Sequence, residues 1–145
     1  MMKRILRSLG FVAANVIVMI ILHGNSKQFW PKIPYLSLRN ESIAEHTRLL
    51  FNTMALVTLG QALIGKLPRE RWLPRGIVLA VFPALLPALI FFGQRVLRLQ
   101  GDAGERYNLS LVPLLPIAAS VVEEVLTAKF NPPAAEPHAD YSHLV

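Results

Sequence analysis

The chain has 145 residues, of which 53% are hydrophobic and only 17% charged, with a net charge of +6 and no cysteine. Its mean hydropathy of +0.43 is that of one domain more apolar than an ordinary soluble one. The missing cysteines exclude disulfides, thiol redox chemistry, thiolate metal sites and cysteine nucleophiles. The basic residues cluster between apolar runs without the aromatic interleaving of a nucleic-acid platform. Nucleic acid is therefore not an expected partner, whereas a lipid bilayer is.

Lys3, Arg4 and Arg7 precede an apolar run from Leu9 to Leu22 that is interrupted only by Gly10 and Asn15. No small-x-small cleavage site precedes the polar His23-Gly24-Asn25-Ser26, so the run reads as a retained first span, about 5–22, rather than a signal peptide. Residues 23–46 form a long loop. Its Phe29, Trp30, Pro31, Pro34 and Tyr35 suit an interfacial segment, with Trp30 and Tyr35 at headgroup level. Ser42-Ile43-Ala44-Glu45 fits a capping box and starts a helix near Ser42. That helix continues as a second span, 48–65, unusually polar in carrying Asn52, Thr53, Thr58, Gly60 and Gln61.

Residues 66–75, KLPRERWLPR, read as a tight basic hairpin into the third span, 76–93, GIVLAVFPALLPALIFFG. This uncharged stretch would cover about 27 Å as a helix, close to the hydrocarbon thickness of a bilayer. Pro83 and Pro87 would end a soluble helix but only kink a membrane one, where neighbouring helices re-satisfy freed carbonyls. Residues 94–100 continue with helical amphipathicity along the interface, and 101–108 read as a polar turn. The fourth span, 109–126, carries Pro113 and Pro116, and the proline-rich tail 131–145 reads as disordered. The expected fold is an all-α integral membrane bundle of four transmembrane helices in one domain, 1–130, with helices 3 and 4 kinked by proline.

Four spans put both termini on one side. With the termini inside, eight basic residues lie inside and seven outside. The charged N-terminus and the compact basic hairpin favour a cytoplasmic or matrix placement of both termini.

Polar residues inside apolar spans are functional suspects. Asn15 and Asn52 fall at similar depth on adjacent antiparallel helices. They suggest an interhelical hydrogen bond, or with Thr53 a small polar cavity. Gln61 adds a further polar group to the second span. Glu123 and Glu124 lie toward the inner end of the fourth span, level with Arg7 and Lys66. One reading is an interfacial ion pair with Arg7 or Lys66. The other is a carboxylate that carries protons in a coupled transporter. His23 and His46 flank the first loop at one membrane level, and paired histidines on neighbouring helices are able to ligate a haem. His138, Asp140 and His143 in the tail offer a metal no rigid support. No set of residues calls for catalysis.

Leu59-Gly60, Leu67-Pro68-Arg69-Glu70-Arg71-Trp72 and Ala80-Val81-Phe82-Pro83-Ala84 resemble the second-to-third span region of DoxX-like membrane proteins. His23-Gly24 followed by Lys27 and Phe29 agrees with that resemblance, while the fourth span shows no match. The resemblance implies a small bundle of four transmembrane helices, associated with membrane oxidoreductase complexes as an accessory subunit, and no catalytic residue. The expected role is a non-catalytic accessory or assembly subunit that contacts lipid and other membrane subunits, or itself. The alternatives are a proton-coupled transporter using Glu123 or Glu124, and a redox subunit holding haem or quinone near His23 and His46.

Overall fold

A computed structural model describes residues 2–24 and 33–132 of the chain, and side chains from Leu6 onward. Phe29, Trp30, Pro31 and the tail from residue 133, with its histidines, lie outside the described residues. The described chain is all-helical, with no strand. Its helices are α1 (Met2–Gly24), α2 (Ile43–Leu63), α3 (Trp72–Phe91) and α4 (Gly101–Phe130). Each helix packs on the next and α1 closes the ring on α4. The N-terminal half of α1, the C-terminal half of α2, the start of α3 and the last third of α4 meet at one end, so the bundle runs up-down-up-down.

Three stretches are long and apolar enough to cross a membrane: Leu6–His23, Arg69–Val96 and Gly101–Phe130. The distribution of side chains fits that property. Asn15, Thr53, Arg71, Arg75, Ser120 and Glu123 are buried, while Leu9, Ile17, Ile20, Leu85, Leu114, Ile117 and Val121 face outward. Between them lies an apolar core that includes Phe11, Leu49, Met54, Val78, Phe82 and Leu115. Polar groups inside and aliphatic groups outside are favourable where the surroundings are hydrocarbon and costly where they are water.

Helix α2 begins where its sequence directs. Ser42 is the N-cap, in extended conformation, and its hydroxyl accepts from the Glu45 N–H at 3.3 Å. The reciprocal half of the capping box does not form. Asn40 Oδ1 takes the Ser42 N–H instead, which frees the Glu45 carboxylate to accept from the Arg39 N–H and from Arg48.

Two connections differ from the sequence expectation. Residues 66–75 are not all hairpin: after a turn, Arg69–Arg71 form a 3-10 segment and α3 already starts at Trp72. Pro74 is tolerated there because the first N–H groups of a helix have no intrahelical acceptor to lose. Residues 101–108 are likewise not a turn but the first two turns of α4. No proline interrupts them, and Asp102 lies favourably near the positive end of the helix. The expected helical continuation over 94–100 holds only as far as Val96. Phe92–Val96 form a π-turn, and the chain then reverses through Arg98 and Gly101, both at positive φ.

The π-turn is shaped around Tyr107. A Cβ on Gly93 would meet the Tyr107 ring at 2.3 Å, and the Tyr107 hydroxyl donates to the Leu89 carbonyl at 2.9 Å, anchoring the ring in place. Gly93→Ala should therefore destabilise by about 1–3 kcal/mol, the usual cost of overpacking, although alanine is the better helix former. Thermal melting in detergent checks this, with Tyr107→Leu in the same chain expected to relieve most of the loss. An unchanged melting temperature for Gly93→Ala alone would show that the ring moves aside freely.

Candidate functional site

The four helices converge on a charge cluster at one end of the bundle. Arg71 and Arg75 are four residues apart across the start of α3, and so project from one side of it. Glu123 and Glu124 come from α4. Arg75 Nε donates to Glu123 Oε2 at 2.6 Å and Arg71 Nη1 to Glu123 Oε1 at 3.2 Å, while Arg71 Nη2 pairs with Glu124. Helix α2 contributes Thr58 Oγ1 and Gln61 Oε1, which accept from Arg75 Nη1 at 3.1 and 3.0 Å. Helix α1 contributes the face of the Phe11 ring, whose centroid lies 3.9 Å from the Arg75 guanidinium carbon, a cation–π distance. Two guanidinium groups and two carboxylates balance. Glu123, with both oxygens engaged, is 1% exposed.

The ion pair expected of Glu123 and Glu124 thus forms, but with Arg71 and Arg75 rather than with Arg7 or Lys66. Lys66 is exposed in the turn after α2, and Arg7 is half-buried on α1. The sequence places the two arginines in the hairpin, but the early start of α3 carries them into the bundle. Gln61 joins the cluster.

Asn15 and Asn52 do not bond to each other. Asn15 Nδ2 donates to the Phe11 carbonyl one turn back, at 2.8 Å, and Asn52 Nδ2 donates to the Tyr35 carbonyl at 2.9 Å. Asn15 faces the bundle interior, fully buried, as does Thr53; Asn15 Oδ1 and Thr53 Oγ1 have no hydrogen-bond partner among the described residues.

At the other end of the bundle, Arg48 ties the loop to α2. Its guanidinium bonds the Tyr35 carbonyl, the Ser37 carbonyl at 2.8 Å, and the Glu45 carboxylate at 2.5 and 3.2 Å. The Arg48 hydrogen bond holds the Glu45 carboxyl below its ordinary value. Burial pushes the other way, and the Arg39 N–H adds to the lowering. Residues Ile33, Pro34, Tyr35, Ser37, Leu38 and Arg39 line a cavity of about 310 Å³ in this loop, remote from the charge cluster. Close by, the His23 and His46 rings lie 5.6 Å apart between centroids, as their equal level in the sequence suggested. Glu41, which the sequence did not single out, lies against both, its Oε2 at 3.7 Å from His23 Nε2 and 3.4 Å from His46 Nε2.

This arrangement defines a helical bundle with a buried, charge-balanced polar cluster at one end and an imidazole–carboxylate group at the other. No protein-family model matches the chain, and neither a curated protein nor a solved structure matches it.

Proposed function

We propose that the chain is a multi-pass membrane protein of four spans, with both termini on the cytoplasmic or matrix side, serving as a non-catalytic accessory or assembly subunit of a larger membrane complex. The observation that carries this reading is the engagement of Glu123. A proton-carrying carboxylate needs a path and a free oxygen, whereas both oxygens of Glu123 are committed to guanidinium groups that belong to the fold. The apolar exterior is then the surface offered to partner helices.

Helix α2 supports the fourth crossing despite its lower hydropathy. Ile43, Phe51, Leu59 and Leu63 are exposed, so α2 presents apolar side chains outward along its whole length. Arg48, Asn52, Thr58 and Gln61 bond inside the protein, so these polar side chains are not left facing lipid. Helix α4, at 30 residues, is about 45 Å long. It exceeds a bilayer core of about 30 Å, so its polar first two turns extend beyond the hydrocarbon. Prolines 83, 87, 113 and 116 would kink the third and fourth spans. The resemblance of the second-to-third span region to DoxX-like proteins favours the same role and a redox complex as its setting.

Gentle detergent extraction followed by native sizing and mass spectrometry tests the role. Co-migration with a large assembly at fixed stoichiometry is the expected result. A pure, small homo-oligomer would overturn it and turn attention to transport. Topology is separately accessible because the chain has no cysteine. Single cysteines at Gly65 and Asn131 should react with an impermeant thiol reagent from one side of the membrane, and one at Asp102 from the other. Labelling of all three from one side would exclude four spans.

A further inference from the structure

We infer that His23, Glu41 and His46 form a binding site for a divalent transition cation of the zinc class. Each of the three offers one ligand atom that lies within 4.8 Å of the other two. The two histidine–carboxylate separations, 3.7 and 3.4 Å, are longer than a good hydrogen bond, which spans about 2.7–3.2 Å. They match ligands sharing one ion: tetrahedral bonds of about 2.0–2.1 Å place ligand atoms about 3.4 Å apart.

The chain holds these atoms from two helix ends. His23 is in the last turn of α1 and His46 in the first turn of α2. Glu41 directly precedes the N-cap, where the Asn40 side chain and Ser42 fix the backbone. His46 Nδ1 lies 2.9 Å from the Ser42 carbonyl, an acceptor only, so this nitrogen carries the proton and donates. In the neutral ring this leaves the Nε2 lone pair facing Glu41, the way a metal-bound imidazole is normally oriented. Two imidazoles and one carboxylate suit zinc, cobalt or nickel better than magnesium or calcium, which take oxygen ligands. Three protein ligands leave a coordination position for water or an exchangeable ligand. The same geometry disfavours a haem between the two rings, because the macrocycle would occupy the space taken by the Glu41 carboxylate. A bound cation would clamp the end of α1 to the start of α2, at the end of the bundle opposite the charge cluster.

The test uses the full chain, purified in detergent on a tag without histidine and stripped with chelator, then titrated calorimetrically with zinc chloride and spectroscopically with cobalt(II). One equivalent of zinc should bind, and cobalt(II) should show the intense visible bands of a low-coordinate site. Changes to groups that merely hydrogen-bond a metal ligand cost roughly 10–100-fold in affinity, so Glu41→Gln and His46→Gln should each cost at least about 100-fold. Glu41 is 60% exposed in its side chain, so Glu41→Gln should leave the helix content and elution volume of the protein unchanged. His138→Ala/His143→Ala, which removes the tail imidazoles, should bind as the parent does. Undiminished zinc binding in the Glu41→Gln/His46→Gln double variant would overturn the site. So would loss of binding in the tail variant, or the absence of stoichiometric binding by the parent chain.

Discussion

Glu123→Gln should cost about 3–5 kcal/mol of stability, the penalty for breaking a buried ion pair by removing one partner, and lower the melting temperature in detergent by roughly 10 °C. Glutamine preserves the shape of the side chain. The loss therefore comes from charge: Arg75 Nε would lose its 2.6 Å carboxylate partner, and Arg71 would keep only Glu124. The Arg75 guanidinium, with its side chain 3% exposed, would retain Thr58, Gln61 and the Phe11 ring, none of which carries a negative charge. Glu124→Gln should cost far less, about 1 kcal/mol or below, because Glu124 is 26% exposed in its side chain and holds one arginine. Removing both charges of the most buried pair, Glu123→Met with Arg75→Met, should recover much of the loss, since no unpaired charge stays buried and Arg71 remains with Glu124. Melting curves of the parent, Glu123→Met, Arg75→Met and the double variant form a cycle that isolates the coupling. A Glu123→Gln protein as stable as the parent would mean that the cluster does not hold the helices together.

Three helices were legible because apolar runs of bilayer length are strong signals, although α3 and α4 begin earlier than those runs do, and Ser42 with Glu45 marked the start of α2. The charge cluster was legible only by halves. Glu123 and Glu124 stand out in an apolar run, whereas Arg71 and Arg75 lie in a stretch dense with proline and basic residues that reads as loop. Proline at the third position of a helix is as acceptable as in a turn, so Pro74 could not distinguish the two cases. Had α3 been extended back to Trp72, the spacing of Arg71 and Arg75 would have placed both opposite the glutamates. Depth counting brought Asn15 and Asn52 level but could not foresee nearer acceptors: a carbonyl one turn back for Asn15, and the returning loop for Asn52. The same counting brought His23 and His46 together. Glu41 escaped notice because its place beside them depends on the Asx turn at Asn40 and the cap at Ser42.

Arg48→Ala should release the loop before α2 and lower stability by about 2 kcal/mol, the scale of hydrogen bonds from a charged donor to carbonyls. Arg48 bridges the carbonyls of Tyr35 and Ser37, and Tyr35 holds a positive φ of 64°, a conformation a non-glycine residue keeps only when its surroundings impose it. Without the arginine, Asn52 alone would hold the Tyr35 carbonyl. Hydrogen exchange over 33–39 should rise in the variant while exchange in α3 and α4 stays as in the parent. The change should also be visible in pH dependence. Glu45 titrates below its ordinary value of 4.5 because of Arg48. The stability it contributes is therefore present above 4.5 and lost as pH falls through its lower, folded value. Arg48→Ala should flatten this acid loss. Arg48→Lys separates the two roles: a lysine keeps a positive charge near Glu45, and with it part of the acid dependence, but lacks the planar fork that reaches two carbonyls and a carboxylate together. Arg48→Lys should consequently show the fast loop exchange of Arg48→Ala with a pH profile closer to the parent. Slow, parent-like exchange over 33–39 in Arg48→Lys would mean that charge alone, and not the fork, holds the loop.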